Sequence, residues 1–227
     1  MYKYVISFLI SAGAIQAQAP SVAEEPKGVT TDDTLVVDPA TNASAQKAVQ
    51  LLGNEMLKGN FEYVFNTTYS RQLQRLANKE RGGLPAVKQS MLSIPKVMNE
   101  RGVQVQSYKA KAPSGNFLIW PKIKPEAKRR MDSGAQAVLT PKDFTYHWVM
   151  IVPTSQLWQV ASPRGGAAQK MIVEGFVIAI APQTTVGEEK WQFIDGTSID
   201  IPSLKKLFPK LPVNLKLPEL ELKKVEE

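Results

Sequence analysis

Cysteine is absent from the 227 residues and histidine occurs once. The first absence excludes disulfide frameworks, thiolate zinc sites, iron-sulfur clusters and cysteine nucleophiles; the second excludes a polyhistidine metal site, so neither metal nor other cofactor is expected. Long apolar runs are missing too. With 43% apolar and 22% charged residues and a mean hydropathy of -0.20, neither a multispanning membrane protein nor a disordered polymer fits. There is no G-x-S-x-G elbow, P-loop, G-x-G-x-x-G turn or H-E-x-x-H pair, which removes most signatures of nucleophilic, nucleotide-dependent and zinc chemistry. What is present in excess is positive charge: Lys+Arg 28 against Asp+Glu 21, a net +7 that favours anionic partners.

The N terminus reads as an address. Met1 to Lys3 is cationic, Tyr4 to Ile15 is uncharged and apolar, and Ala14 to Ala19 is a small-residue exit, the three parts of a secretory signal. Cleavage after Ala17 is expected, because Pro20 disfavours cleavage after Ala19. Residues 1–17 are therefore read as a signal peptide and 18–43 as a flexible lead-in. Export without cysteine points to a bacterial envelope, with the mature chain in the periplasm, on the outer surface or secreted, since oxidising compartments usually bring disulfides.

From Ser44 apolar residues recur at helical spacing, through Ala45, Val49, Leu52 and Met56. Asn60 can cap a second helix carrying Phe61, Val64 and Phe65 and continuing through Leu73 and Leu76, loosened at Thr67-Thr68-Tyr69. A third follows Pro85 and should kink or shorten at Pro95. The second half reads as strands: Val103–Gln106, Phe144–Val152, Met171–Ala181 and a closing Trp191–Gly196. Helices first and antiparallel strands afterwards is the α+β pattern, over residues 44–202.

Element order, with Gly59-Asn60-Phe61-Glu62-Tyr63-Val64 opening the second helix and Lys190-Trp191-Gln192-Phe193-Ile194-Asp195-Gly196 closing the sheet, resembles the nuclear transport factor 2-like, or cystatin-like, cone. The resemblance covers Ser44 to about Gly196. It implies three N-terminal helices packed on a curved antiparallel sheet, a long helix and the sheet enclosing a pocket, with Tyr63, Tyr108 and Trp191 as candidate walls. The proline-rich stretch between Tyr108 and Asp143 departs from the compact members and is read as a basic insertion, residues 109–142.

That stretch concentrates the charge. From Lys109 to Arg130 there are seven cations, Lys109, Lys111, Lys122, Lys124, Lys128, Arg129 and Arg130, against Glu126 alone, a net +6. Lys122, Lys124, Lys128, Arg129 and Arg130, with Trp120 among them, are the candidate binding residues. Phe117, Ile119 and Trp120 are expected to plug the segment onto the body. Isolated Arg-Gly-Gly triplets and an exported address disfavour nucleic acid, so an anionic envelope polymer or envelope protein is the expected partner, with peripheral membrane-surface contact as a further option. The one catalytic alternative is a small-pocket isomerase or hydrolase in which neighbouring strands bring His147 beside Glu174. Residues 203–227 hold Leu204, Leu207, Phe208, Leu211, Leu215, Leu217, Leu220 and Leu222 among Pro209, Pro212 and Pro218, a proline-interrupted extended tail expected to wrap the protein's own sheet or, failing that, to offer a strand to a partner. The expected role is a non-enzymatic binding or assembly component of the envelope, with a structural subunit of a surface appendage as the other non-catalytic alternative.

Overall fold

The computed structural model describes residues 37–123, 125–132, 144–162, 167–183, 189–209, 211–212 and 214–225. The signal peptide and most of the lead-in lie outside them. The fold is α+β, with six α-helices among the described residues and an open, antiparallel six-stranded sheet.

Four helices, rather than the expected three, precede the first strand. Helix α1 spans Pro39–Leu57, starting five residues before Ser44 because Asp38 caps it: its carboxylate accepts from the Ala40 N–H at 2.7 Å and Pro39 occupies the first turn. Asn60 caps α2 (Phe61–Thr67) by accepting from Tyr63 N–H at 3.2 Å, as expected. The single second helix of the sequence reading is in fact two, α2 and α3 (Ser70–Ala77), because Thr68 and Tyr69 leave the helix to pair with the last core strand, where Tyr69 N–H donates to Phe193 O at 2.8 Å. α4 (Gly83–Glu100) runs through Pro95 and ends before Gly102, whose φ of 64° suits a residue without Cβ.

Strands β1 (Val103–Ala110) and β2 (Gly115–Ile123) lie end to end along one edge of β3 (Phe144–Val160). The break between them falls at Pro153 of β3. Pro153 still accepts from Lys111 N–H at 2.8 Å, and Ser114 N–H donates to Ile151 O at 2.8 Å, but a proline has no N–H to return toward that edge, so the ladder is interrupted there. β3 pairs along its other edge with β4 (Gln169–Pro182), whose far edge is shared by β5 (Gln192–Asp195) and β6 (Glu221–Lys224). Between β2 and β3 lies α5 (Pro125–Asp132); between β5 and β6 lie a 3-10 turn (Gly196–Ser198) and α6 (Ile201–Leu207). The described residues of the stretch read as an insertion are thus largely a sheet strand and a short helix.

Both faces of the sheet are buried at its centre. On one, Ala45, Val49 and Leu52 of α1 pack on Tyr108, Trp148, Met150, Val177, Ala179 and Phe193. On the other, Phe117, Ile119, Val149, Ile151, Phe176, Ile178 and Ile180 meet Leu204, Leu207, Phe208, Leu211 and Leu215 of the C-terminal segment. The tail therefore lies on the protein's own sheet, with Phe208 stacked on Tyr69 at 5.4 Å between ring centroids. This explains why β4 reads as an almost continuous apolar run: a strand covered on both faces has no solvent side to alternate toward.

One contact sets the distance between α1 and the sheet. A Cβ at Gly53 would fall 2.0 Å from Cδ1 of Tyr108, so the helix approaches as closely as it does because that position has no side chain. In an exposed helix Gly→Ala gains about 1 kcal/mol; here overpacking, worth ~1–3 kcal/mol, opposes it. Gly53→Ala is expected to lower stability in urea unfolding, and the loss should disappear when Tyr108 is also replaced by Leu.

Candidate functional site

The three candidate pocket walls do converge, but as packing. Tyr108 and Trp191 are buried in the α1-side cluster and Tyr63 packs against it partly buried. Trp191 Nε1–H donates to Ser44 Oγ at 3.0 Å, and Ser44 Oγ donates to Glu189 at 2.8 Å, tying the approach to β5 onto α1. Tyr108 is the exception in character: its hydroxyl is buried with Thr154 alongside and completes no hydrogen bond among the described residues. Burial, and then the Asp195 carboxylate, push the phenol above its ordinary pKa, so it stays protonated through the physiological range.

His147 and Glu174 do not meet. In register His147 faces Pro182 and Glu174 faces Ser155, so the two lie eight β3 positions apart, about 26 Å at the rise of a strand. They do share the tail-side face, as alternation requires. Glu174 is occupied elsewhere. Its carboxylate accepts from Lys111 Nζ at 2.7 Å and from Ser155 Oγ at 3.1 Å, joining the β1–β2 turn to β4 across β3. The hydrogen bond from Lys111, aided by Ser155 and by the charges of Lys111 and Lys223, holds its pKa below the usual carboxylate range. The acid–base pair of the catalytic alternative is absent from this geometry.

The cations also divide. Lys109 faces Ser155 in the β1–β3 register, beside the Glu174 pairing. Lys111 is ion-paired, so one end of the basic stretch is built into the sheet. The other end starts at Lys122, opposite Thr145, eight β3 positions from Pro153, which accepts from Lys111. There α5 buries Ala127 and leaves Lys128, Arg129 and Arg130 exposed. Trp120 and Lys122 are β2 residues, and Lys124 lies outside the described residues. Phe117 and Ile119 are buried, the anchoring expected of them. On the tail side a groove of about 450 Å³ opens between the β1–β2 turn and the C-terminal segment, lined by Gly115, Phe117, Ile151, Asn214, Leu215 and Leu217.

Sequence reasoning missed two polar sets. Gln46 and Gln50, one turn apart on α1, serve the free edge of β1: Gln50 Nε2 donates to Tyr108 O at 2.9 Å, Gln50 Oε1 accepts from Ala110 N–H at 2.9 Å, and Gln46 Nε2 donates to Ala110 O at 3.0 Å. Their spacing of four was the available signal. Arg75 donates to Gln72 Oε1 at 2.9 Å, Ser203 Oγ at 3.1 Å and Ser198 O at 3.1 Å, fastening α3 to the start of the tail. Burial lowers the Arg75 pKa, partly offset by Asp200.

Among the described residues no three of His, Asp and Glu are gathered as a metal site requires, and no helix is long and apolar enough to cross a membrane. No family model matches the chain, and neither a curated protein nor a solved structure is significantly similar to it.

The Glu174 pairing predicts a pH dependence. A carboxylate whose folded pKa is depressed stabilises fully above its unfolded value, about 4.3, and that stability is lost as pH falls through the lower folded value. Because Lys111 is half exposed, the effect is about 1 kcal/mol or less. Glu174→Gln should lower stability at pH 7 and flatten the acid limb of the denaturation midpoint against pH, while leaving the neutral limb parallel to the wild type.

Proposed function

We propose that the protein is an exported, non-enzymatic binding component of a bacterial cell envelope that engages anionic polymers through α5. One observation carries the reading: a short helix that buries Ala127 exposes Lys128, Arg129 and Arg130, close in sequence to Lys122 and Lys124. Cations held on a helix attract a polyanion without the ordering cost of a loose tail. The remaining basic residues of the stretch, Lys109 and Lys111, lie beside or within the Glu174 network, so the binding surface is narrower than the charge count alone implied. The envelope address rests on the tripartite N terminus and the absence of cysteine.

The kinship to the nuclear transport factor 2-like cone is part of the same proposal. It is supported by a long helix on one sheet face and by a closing strand that follows Trp191. A filled interior in place of an open pocket favours a surface-binding member over a catalytic one. The separation of His147 from Glu174 argues the same way.

Retention on purified lipopolysaccharide and on teichoic acid is the test. The wild type should bind and release as salt rises, because exposed charges more than a Debye length apart are screened. Replacing Lys128, Arg129 and Arg130 together with Gln should weaken binding about tenfold or more, with an unchanged unfolding midpoint. Equal retention by that variant, or retention insensitive to salt, would remove α5 from the reading.

A further inference from the structure

Strand β6 is an edge strand of the sheet, and its sequence is complementary to itself. Parts of two other edges are served by neighbouring groups, β1 at Tyr108 and Ala110 by Gln46 and Gln50, and β5 at Phe193 by Thr68 and Tyr69. β6 pairs with β4 on one side only, and all four of its residues are exposed. Val225 N–H donates to Lys170 O at 3.0 Å, so by alternation the backbone groups of Glu221 and Lys223 address β4 while those of Leu222 and Lys224 point away from the sheet, with Leu220 next in line. Leu220 and Leu222 are also among the most exposed large apolar side chains, at 48% and 39%.

We propose that this edge docks a second copy of the same chain, β6 against β6 in antiparallel two-fold pairing, with Leu222 opposite Leu222 of the second copy. The argument is one of register. Outward-facing residues must stand opposite one another, so the two-fold falls on a residue, and over Leu220 to Lys224 only centres at Glu221, Leu222 or Lys223 pair more than one residue of each copy. Centring on Glu221 sets Glu221 against Glu221, and centring on Lys223 sets Lys223 against Lys223; like charges directly opposite destabilise a sheet. Centring on Leu222 sets Glu221 against Lys223 of the second copy, twice over. It stacks the two Leu222 side chains and lays Leu220 along the aliphatic stem of Lys224. Within one copy Lys223 Nζ already reaches Glu221 at 2.5 Å, so the same pair can exchange partners across the two-fold. The contact is isologous and closes at two copies, joining the two sheets edge to edge. Four-residue strands bury little area, so the dimer is weak and depends on concentration. This inference is independent of the polymer-binding reading, since α5 contributes nothing to it.

Sedimentation of the full chain from micromolar to millimolar concentration reads it directly. Glu221→Lys and Lys223→Glu each turn both cross-strand pairs repulsive and should each weaken self-association about tenfold or more. Mixed together they form a fully complementary heterodimer, so the mixture should recover the wild-type mass distribution, which loss of fold in either variant could not produce. A wild type that stays monomeric to millimolar concentration, variants that associate as well as wild type, or a mixture no better than its components would each overturn the proposal.

Discussion

β3 and β4 are apolar on both faces, and a strand pair of this kind is soluble only when two separate covers are supplied. α1 covers one face and the C-terminal segment covers the other. At ~25 cal/mol per Å² of apolar surface, removing either cover would expose several large side chains at a cost comparable with the whole stability of a domain. The rest of the architecture follows from holding those covers in place. Gly53 lets α1 come close enough for Tyr108 to fill the gap, and the Arg75 fork with the Tyr69–Phe208 stack fixes the tail where its first turn meets the sheet.

Edges obey a second constraint, the satisfaction of backbone groups. Pro153, placed mid-strand in β3, cannot donate, and the chain answers by breaking the facing strand into β1 and β2 and letting Lys111 and Ser114 bracket the break. The same turn carries Lys111 to Glu174, so a backbone defect and an ion pair occupy one place in the sheet. Glu174 in an apolar strand, which invites a catalytic interpretation in the sequence, is better understood as the acceptor that this turn requires.

The sequence made the fold class and the strand cores legible because alternation and apolar density are local signals: Val149 and Ile151 fall on one side of β3 and Trp148 and Met150 on the other, as period two demands. It also made the destination of the tail legible, since an apolar, proline-broken strip has few soluble alternatives to lying on its own sheet. What it concealed was long-range. Asp38-Pro39 was hidden as a helix start because a proline after an acidic stretch reads as linker. Gln46 and Gln50 look like ordinary surface helix formers until β1 is placed beside them. The meeting of His147 with Glu174 depended on strand register, which periodicity cannot supply: two residues on the same face can be adjacent or eight positions apart without any change in pattern.

Charge shows most clearly why position outweighs count. The basic stretch holds seven cations whether it is folded or not, yet the sheet assigns them opposite duties. Lys111 sits within reach of a carboxylate whose pKa it depresses, so its field is largely neutralised at short range. Lys128, Arg129 and Arg130 are exposed on α5, the helix that buries Ala127. The fold thus gives one cation of the stretch a fixed carboxylate partner in the sheet and places three others at the exposed surface of a helix.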